Sequence, residues 1–413
     1  MADSTQTPEL ADLTEAPGRL TRPLTVLLAV TSAVTAANVY LNQPLLGSAA
    51  ADLHVSPEAL GAVPTATQFG YAAGILLMVP AGDSHDRRRL ILRLGAASTV
   101  ALAASAVAPT AWWLIIASFL VGLLSPIPQL VAPLAVALAG DQRRGRVVGT
   151  IQGGLLIGVL ASRAYSGSFA ELAGWRAVYW CSCALTLLMT CVLWRVLPAA
   201  PAIGAARYRT TLASLPRLFA SHPLIRRVTI SGGLVGIAFG AFWTALTFLL
   251  EQDYHYGSTE VGLFGLVAAA SALASPAAGR LADRMGPRLG LAALIVTVIA
   301  GWVLLLPGGT HLSWLIIGVV VLDIGVWGSQ VVCQTSLFTL DKSTHNRLNT
   351  LYFTLRFLGI AIGSLAGSLA WGNGGWSAVA TVGIIAALAG LVVGVLPHSK
   401  ERAKRDEVTT LGA

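Results

Sequence analysis

Twelve apolar segments, each near the roughly 20 residues an α-helix needs to cross a bilayer, account for most of this 413-residue chain. They cover 23–50, 57–81, 90–108, 111–139, 147–170, 176–197, 224–250, 258–281, 289–306, 312–340, 348–371 and 376–396. With 55% of residues hydrophobic and 11% charged, the chain has too few charges to clothe a soluble surface of this size. The expected fold is all-α and integral to a membrane. Ser56-Pro57 and Ser258 offer N-caps, with Glu58 and Glu260 in the first turns that follow. Pro126, Pro128 and Pro133 predict a bend in the fourth segment without ending it.

The net charge of +8 points to nucleic acid only if the basic residues cluster on a soluble face, and they do not. All lysines and arginines except Arg163, Arg176 and Arg356 fall in alternate loops and the two termini, while Asp52, Glu171, Glu251, Asp253 and Glu260 fall in the others. By the positive-inside rule both termini are cytoplasmic, in the inner (plasma) membrane. The first twenty residues carry Asp3, Glu9, Asp12 and Glu15 and read as a cytoplasmic arm rather than a signal peptide. Cys181, Cys183, Cys191 and Cys333 show no metal-ligand spacing and read as small buried hydrophobes.

The chain is also duplicated. Gly279-Arg280-Leu281-Ala282-Asp283-Arg284-Met285-Gly286-Pro287-Arg288 is answered two hundred residues earlier by the stretch around Asp83, Arg87 and Arg88. Asp141 and Asp341, Thr150 and Thr350, and Gly167 and Gly367 keep the same register. Parallel repeats of this kind build transporters from two bundles. The expected division is an arm at 1–22, a six-helix bundle at 23–197, a linker at 198–223, a second bundle at 224–397 and a tail at 398–413. Leu212, Leu215, Leu218 and Phe219 predict a short amphipathic helix in the linker.

The decapeptide resembles the loop signature of the major facilitator superfamily, a Gly-x-x-x-Asp-Arg-x-Gly-Arg-Arg run after the second and eighth spans. Its second copy lacks only an arginine at Pro287; the first has Val79, Ser84 and Asp86 where glycine, arginine and glycine would stand. Gly149, Gly158, Ser162, Arg163, Ser166 and Gly167 are similar to the helix-five signature of the antiporters, with Arg163 at the proline position. Asn38-Val39-Tyr40 through Leu46, and Gly174-Trp175-Arg176 echoed at Gly375-Trp376-Ser377, resemble the twelve-span efflux permeases. The resemblance implies two six-helix bundles with helices 1, 4, 7 and 10 lining a central cavity. It also implies a small-molecule substrate, protons as the driving partner, no cofactor and a monomer. Ser118, where drug antiporters place an arginine before Gly122, shifts any proton coupling elsewhere.

Polar groups in hydrocarbon are costly and should mark the pathway. Thr31, Thr35, Asn38 and Asn42 share a helical face, with Tyr40 and Gln43 beside it. Gln68 and Tyr71 lie in helix 2, Phe239, Trp243, Thr244 and Thr247 in helix 7, and Asp323, Trp327, Gln330 and Gln334 in helix 10. Asn349, Tyr352 and Arg356 follow in helix 11. Hydroxyls that bond back to their own helix are the competing explanation. Asp323 is expected about 16 Å from the outer end of helix 10 and Arg356 about 13 Å from the inner end of helix 11, near enough in depth to predict an ion pair. Arg163, about 25 Å along the helix from Arg146, is expected to snorkel outward, with a gate contact to Glu171 or to an anionic substrate as the alternative. Gly154, Gly158, Ser162 and Ser166, and Gly359, Gly363 and Gly367, are read as seams that slide.

These features point to a proton-driven exporter of small organic molecules. A sugar or neutral-solute uptake carrier, and a non-transporting receptor or lipid-handling protein, fit the same spans. No phosphate-cradling loop, catalytic triad or zinc spacing suggests an enzyme.

Overall fold

Thr21 accepts from Leu24 N at 3.3 Å and starts the first helix, α1 (Arg22–Tyr40), in the computed structural model, which describes residues 20–139, 144–198, 208–267, 284–341 and 344–395. Gly279, Asp283, Asp141 and both terminal segments lie outside these residues. Hydropathy carried the first span on to residue 50, but α1 stops ten residues sooner. Pro44 has no N–H to give and its ring would clash with the carbonyl of Tyr40. A 3₁₀ turn (Gln43–Leu45) and a separate short helix (Leu46–Leu53) follow.

Ser56 caps α2 (Pro57–Ser84) as its spacing predicts, accepting from Ala59 N at 3.3 Å. Asp86, at a glycine position of the loop signature, caps α3 (Arg87–Ala106) by accepting from Arg89 N at 3.2 Å. In α4 (Ala111–Leu138) the prolines do more than bend: the helix is interrupted at Ser125 and Pro126. Next come α5 (Arg144–Ala173), α6 (Trp175–Val196) and α7 (Pro223–Phe248), which runs into a π turn at Leu249–Asp253. The described part of α8 is Ser258–Val267, where Ser258 is already helical and Gly257 N donates to Glu260 Oε2 at 2.9 Å. After α9 (Pro287–Leu305) and α10 (Leu312–Leu337), residues 345–395 form α11 and α12, which part where Gly374 and Gly375 leave helical geometry.

Gly174 at φ 84° and Gly375 at φ 60° make equivalent turns before α6 and α12. Both need the left-handed backbone that glycine adopts without cost, so the repeat extends to conformation. Ten helices of the described residues are long and apolar enough to cross a bilayer, α11 and α12 counting as one and α8 being shorter. The linker helix Tyr208–Ser221 forms as its leucine spacing predicts and buries Leu215.

The glycine stripes lie inside the halves instead of between them. Gly154 and Gly158 press α5 on the carbonyls of Ala29 and Ala33 in α1, and Gly359 and Gly363 press α11 on Gly233 and Ile237 in α7. Contacts between halves use α5 with α8, where Gly167 meets Ser258, and α2 with α11, where Gly61 meets Ser368. The interlocked backbones pack each half closely, and it is the contacts between halves that alternation would have to change. Gly158→Leu is expected to destabilise the protein by at least about 2 kcal/mol through overpacking, read as a lower unfolding midpoint in detergent. Gly149→Leu, with nothing within 4 Å of its added Cβ, should leave that midpoint unchanged; equal effects of the two would reject the seam.

Candidate functional site

A vestibule of about 740 Å³ opens among Asp83, Arg87, Val136, Phe338, Asn346 and Asn349, at the end of the molecule that carries the basic loop. Above it, an enclosed cavity of about 50 Å³ is lined by Tyr40, Tyr71, Phe239, Trp327, Gln330 and Arg356. Gln129 and Gln152 line both spaces and join them. The opposite end is shut by bonds between halves. Thr247 Oγ1 donates to Gln43 O at 3.2 Å, Ser368 Oγ to Glu58 O at 2.8 Å and Gln252 Nε2 to Glu58 Oε1 at 3.1 Å. Trp371 Nε1 holds Gln252 in place at 3.1 Å.

Tyr40, Trp327, Gln330 and Arg356 therefore stand where the sequence placed them, on the cavity. The stripe on α1 does not. Thr31 and Thr35 donate back to Leu27 O and Thr31 O at 2.8 and 2.7 Å, Asn38 donates to Thr186 of α6 at 3.0 Å, and Asn42 to Thr67 of α2 at 2.8 Å. The two asparagines stitch helices within one half, and Ala36, Val39 and Tyr40 of the neighbouring face meet the cavity. Gln68 is fully enclosed in α2, and Tyr352 is buried between α7 and α11 against Gly232. Gln129 and Gln152 are cavity residues that the sequence reading missed. Gln129 is an amide between Pro128 and Pro133, so the rule that found Gln330 could have found it.

The labelling pattern follows. In a background without the four native cysteines, Ala36→Cys and Gln330→Cys should react with a small water-soluble thiol reagent. Asn38→Cys and Ser98→Cys should not. Reaction at Asn38 as fast as at Ala36 would reject this orientation of α1.

Arg163 neither snorkels nor meets Glu171. It is 2% exposed; its Nε donates to Gln43 Oε1 at 2.8 Å and its Nη1 to Val159 O at 3.3 Å. The guanidinium lies 3.9 Å over the Trp243 ring and 5.1 Å from that of Tyr40. Counting along a helix gives depth but not direction. Here α5 turns Arg163 inward, to where the break after α1 presents the Gln43 amide. Trp243 belongs to the other half, so this contact bridges α5 and α7. Among the described residues, Arg163 and Arg356 are thus both buried arginines well inside the spans, with Arg87 buried at the start of α3.

Asp323 is 1% exposed and Arg356 3%, but no ion pair joins them among the described residues. Arg356 Nη2 donates instead to Val326 O at 3.5 Å. Asp323 has contacts of its own and lies within electrostatic reach of Arg163. Similar depth on consecutive helices was not enough, because the pairing also needs both side chains turned to the same seam.

At the basic end Arg87 Nη2 donates to Asp83 Oδ1 at 2.8 Å, and Asn346 Nδ2 of the other half donates to the same oxygen at 3.3 Å. Arg88 Nη2 donates to Trp194 O at 2.6 Å, tying α3 to α6. In the second loop Arg284 is exposed and Arg288 lies in the first turn of α9.

Two helix bundles around a cavity closed at one end are an architecture that two-bundle membrane transporters share. The chain belongs to the Major Facilitator Superfamily, whose sequence profile matches residues 28–364 and 228–411. An uncharacterized transporter of Escherichia coli O157:H7, YgaY, is 36% identical over 375 residues, covering 91% of this chain and 95% of its own. A Helicobacter acinonychis (strain Sheeba) protein named "Probable sugar efflux transporter" is 24% identical over 335 residues, 79% of this chain and 82% of its own. The fold matches a bacterial homolog of the human lysosomal transporter Spinster, inward-facing and unoccupied, with TM-score 0.67 and 15% identity over 91% of this chain and 95% of that one.

Proposed function

We propose that this transporter exports small organic compounds across the inner (plasma) membrane by alternating access, driven by inward proton flow, as a monomer with both termini cytoplasmic. The observation that carries the reading is the cavity joined to the basic end and closed at the other, with Asp323 buried in α10 four residues before Trp327 of the cavity wall. That is an inward-facing carrier if the basic loops are cytoplasmic, as their lysine and arginine bias implies. The halves, residues 23–197 and 224–397, rock about the linker 198–223, and a titratable group between them carries the proton. A relative named for sugar efflux supports the outward direction.

Asp83 is the cytoplasmic latch in this reading, with Arg87 and Arg88 holding its helix ends and Gly279, Asp283, Arg284 and Arg288 forming the counterpart. Its bond to Asn346 crosses the halves and can exist in one state only. Asp83→Asn is expected to slow turnover several-fold with little change in substrate affinity; unchanged turnover would reject the latch.

The reading as a whole is tested by deletion and overexpression against a panel of toxic compounds, then by flux in proteoliposomes. Overexpression should raise tolerance, and flux of the same compounds should reverse when the imposed pH gradient is reversed. Flux blind to the pH gradient would remove the proton, and no flux of any compound would remove the transport reading.

A further inference from the structure

Among the described residues, the side chains of four charged residues are more than nine-tenths buried: Arg87, Arg163, Asp323 and Arg356. Arg87 is answered by Asp83 at 2.8 Å. Arg163 is occupied by Gln43, Val159 and two ring faces. Each of the three arginines leaves one buried terminal nitrogen without a hydrogen-bond partner, Arg87 Nη1, Arg163 Nη2 and Arg356 Nη1. What sets Arg356 apart is that it lines the inner cavity and that its hydrogen bond from Nη2 to Val326 O is 3.5 Å long. A guanidinium offers five donors in a planar fork, and leaving a buried charged donor unsatisfied costs more than satisfying it gains. The fork matches the two oxygens of a carboxylate.

We infer that Arg356 anchors the anionic head group of the transported compound, and that the substrate class is amphipathic organic monoanions, a carboxylic acid being the simplest. The inference rests on the export reading and names its cargo. A cavity of about 50 Å³ holds a few waters or one such head group but no ring system. The body of the substrate therefore trails past Gln129 and Gln152 into the vestibule of about 740 Å³, against Pro133, Val136 and Phe338. Gln330 stands on the cavity wall as a further amide donor. In a cell that is negative inside, the membrane potential itself favours the exit of an anion.

The test uses three probes with one body and different heads: 4-phenylbutyrate, its methyl ester and 4-phenylbutylamine. Equilibrium binding is measured to the purified full chain in detergent, with no gradient. The carboxylate is expected to bind at least about tenfold tighter than the other two, the worth of one hydrogen bond to a charged group. Arg356→Gln should bring the carboxylate down to the level of the ester and leave the ester unchanged. Gln330→Glu, which puts a negative charge in the same cavity, should reverse the order in favour of the amine, and it decides the matter if Arg356→Gln does not fold. An ester or amine that binds the wild type as tightly as the carboxylate would overturn the inference. So would a carboxylate advantage that survives in folded Arg356→Gln, or an order unmoved by Gln330→Glu. Because no flux is involved, a missing head-group preference leaves export standing, and missing flux leaves the anchor standing.

Discussion

Arg163→Met is expected to cut transport by about tenfold or more while leaving a folded protein. The guanidinium ties the α1 break to α5 through Gln43 and crosses to the other half by stacking 3.9 Å over Trp243. A desolvated cation–π contact is worth about 2 kcal/mol and a hydrogen bond to a charged group about 1.5–3 kcal/mol. Losing even about 1.4 kcal/mol of that from one state moves a two-state equilibrium tenfold. The state that loses is the one closed at the end opposite the basic loops, since that is where the contact exists. Spin labels at Ala51 and Asp253, exposed on the two halves at that end, should therefore move apart in Arg163→Met. Folding should survive, because an apolar side chain of similar length replaces a buried charge. Arg163→Lys should not restore the closed state, since an ammonium lacks the planar fork that bonds Gln43 and stacks on the indole. An unchanged spin-label distance with unchanged transport would show that Arg163 is only packing.

Asp323→Asn is expected to abolish accumulation against a gradient while substrate exchange continues and loses its pH dependence. Asparagine keeps the shape and hydrogen-bonding capacity of the carboxyl but cannot take up or release a proton. Asp323 is the carboxylate buried in a span among the described residues, at 1% exposure, and it lies within electrostatic reach of Arg163 at the contact between halves. A proton bound there changes the attraction across that contact, which is the coupling that a proton-driven carrier needs. If Asp323 were instead a permanently charged strut, Asp323→Asn would leave buried positive charge uncompensated and yield an unstable protein. A stable Asp323→Asn protein that still pumps against a gradient would eliminate the coupling role.

The spans, the duplication and the glycine turns were legible in the residues because each depends on a local quantity. Hydrocarbon thickness sets segment length, so the apolar runs predict the helices. Gly174-Trp175 and its echo Gly375-Trp376 were singled out by resemblance, and both glycines do take the positive φ that other residues rarely adopt. Periodicity put Trp327, Gln330 and Arg356 on polar helix faces, and these line the cavity, as does Tyr40 from beside the α1 stripe. Tertiary structure decided which neighbour each face meets. Asn38 and Asn42 share a face as their spacing says, yet that face meets α6 and α2, and the cavity belongs to the residues beside them. Helical rise gave Arg163 an expected depth only, and its direction comes from the Gln43 amide beside the break at Pro44 and from the ring of Trp243, 80 positions further along the chain. Asp323 and Arg356 were expected at matching depths, yet Arg356 bonds Val326 O and no ion pair joins the two among the described residues. Rise and period are properties of one helix, whereas rotation about its axis and the identity of its neighbours are set by how all the helices pack, and no single segment carries that information.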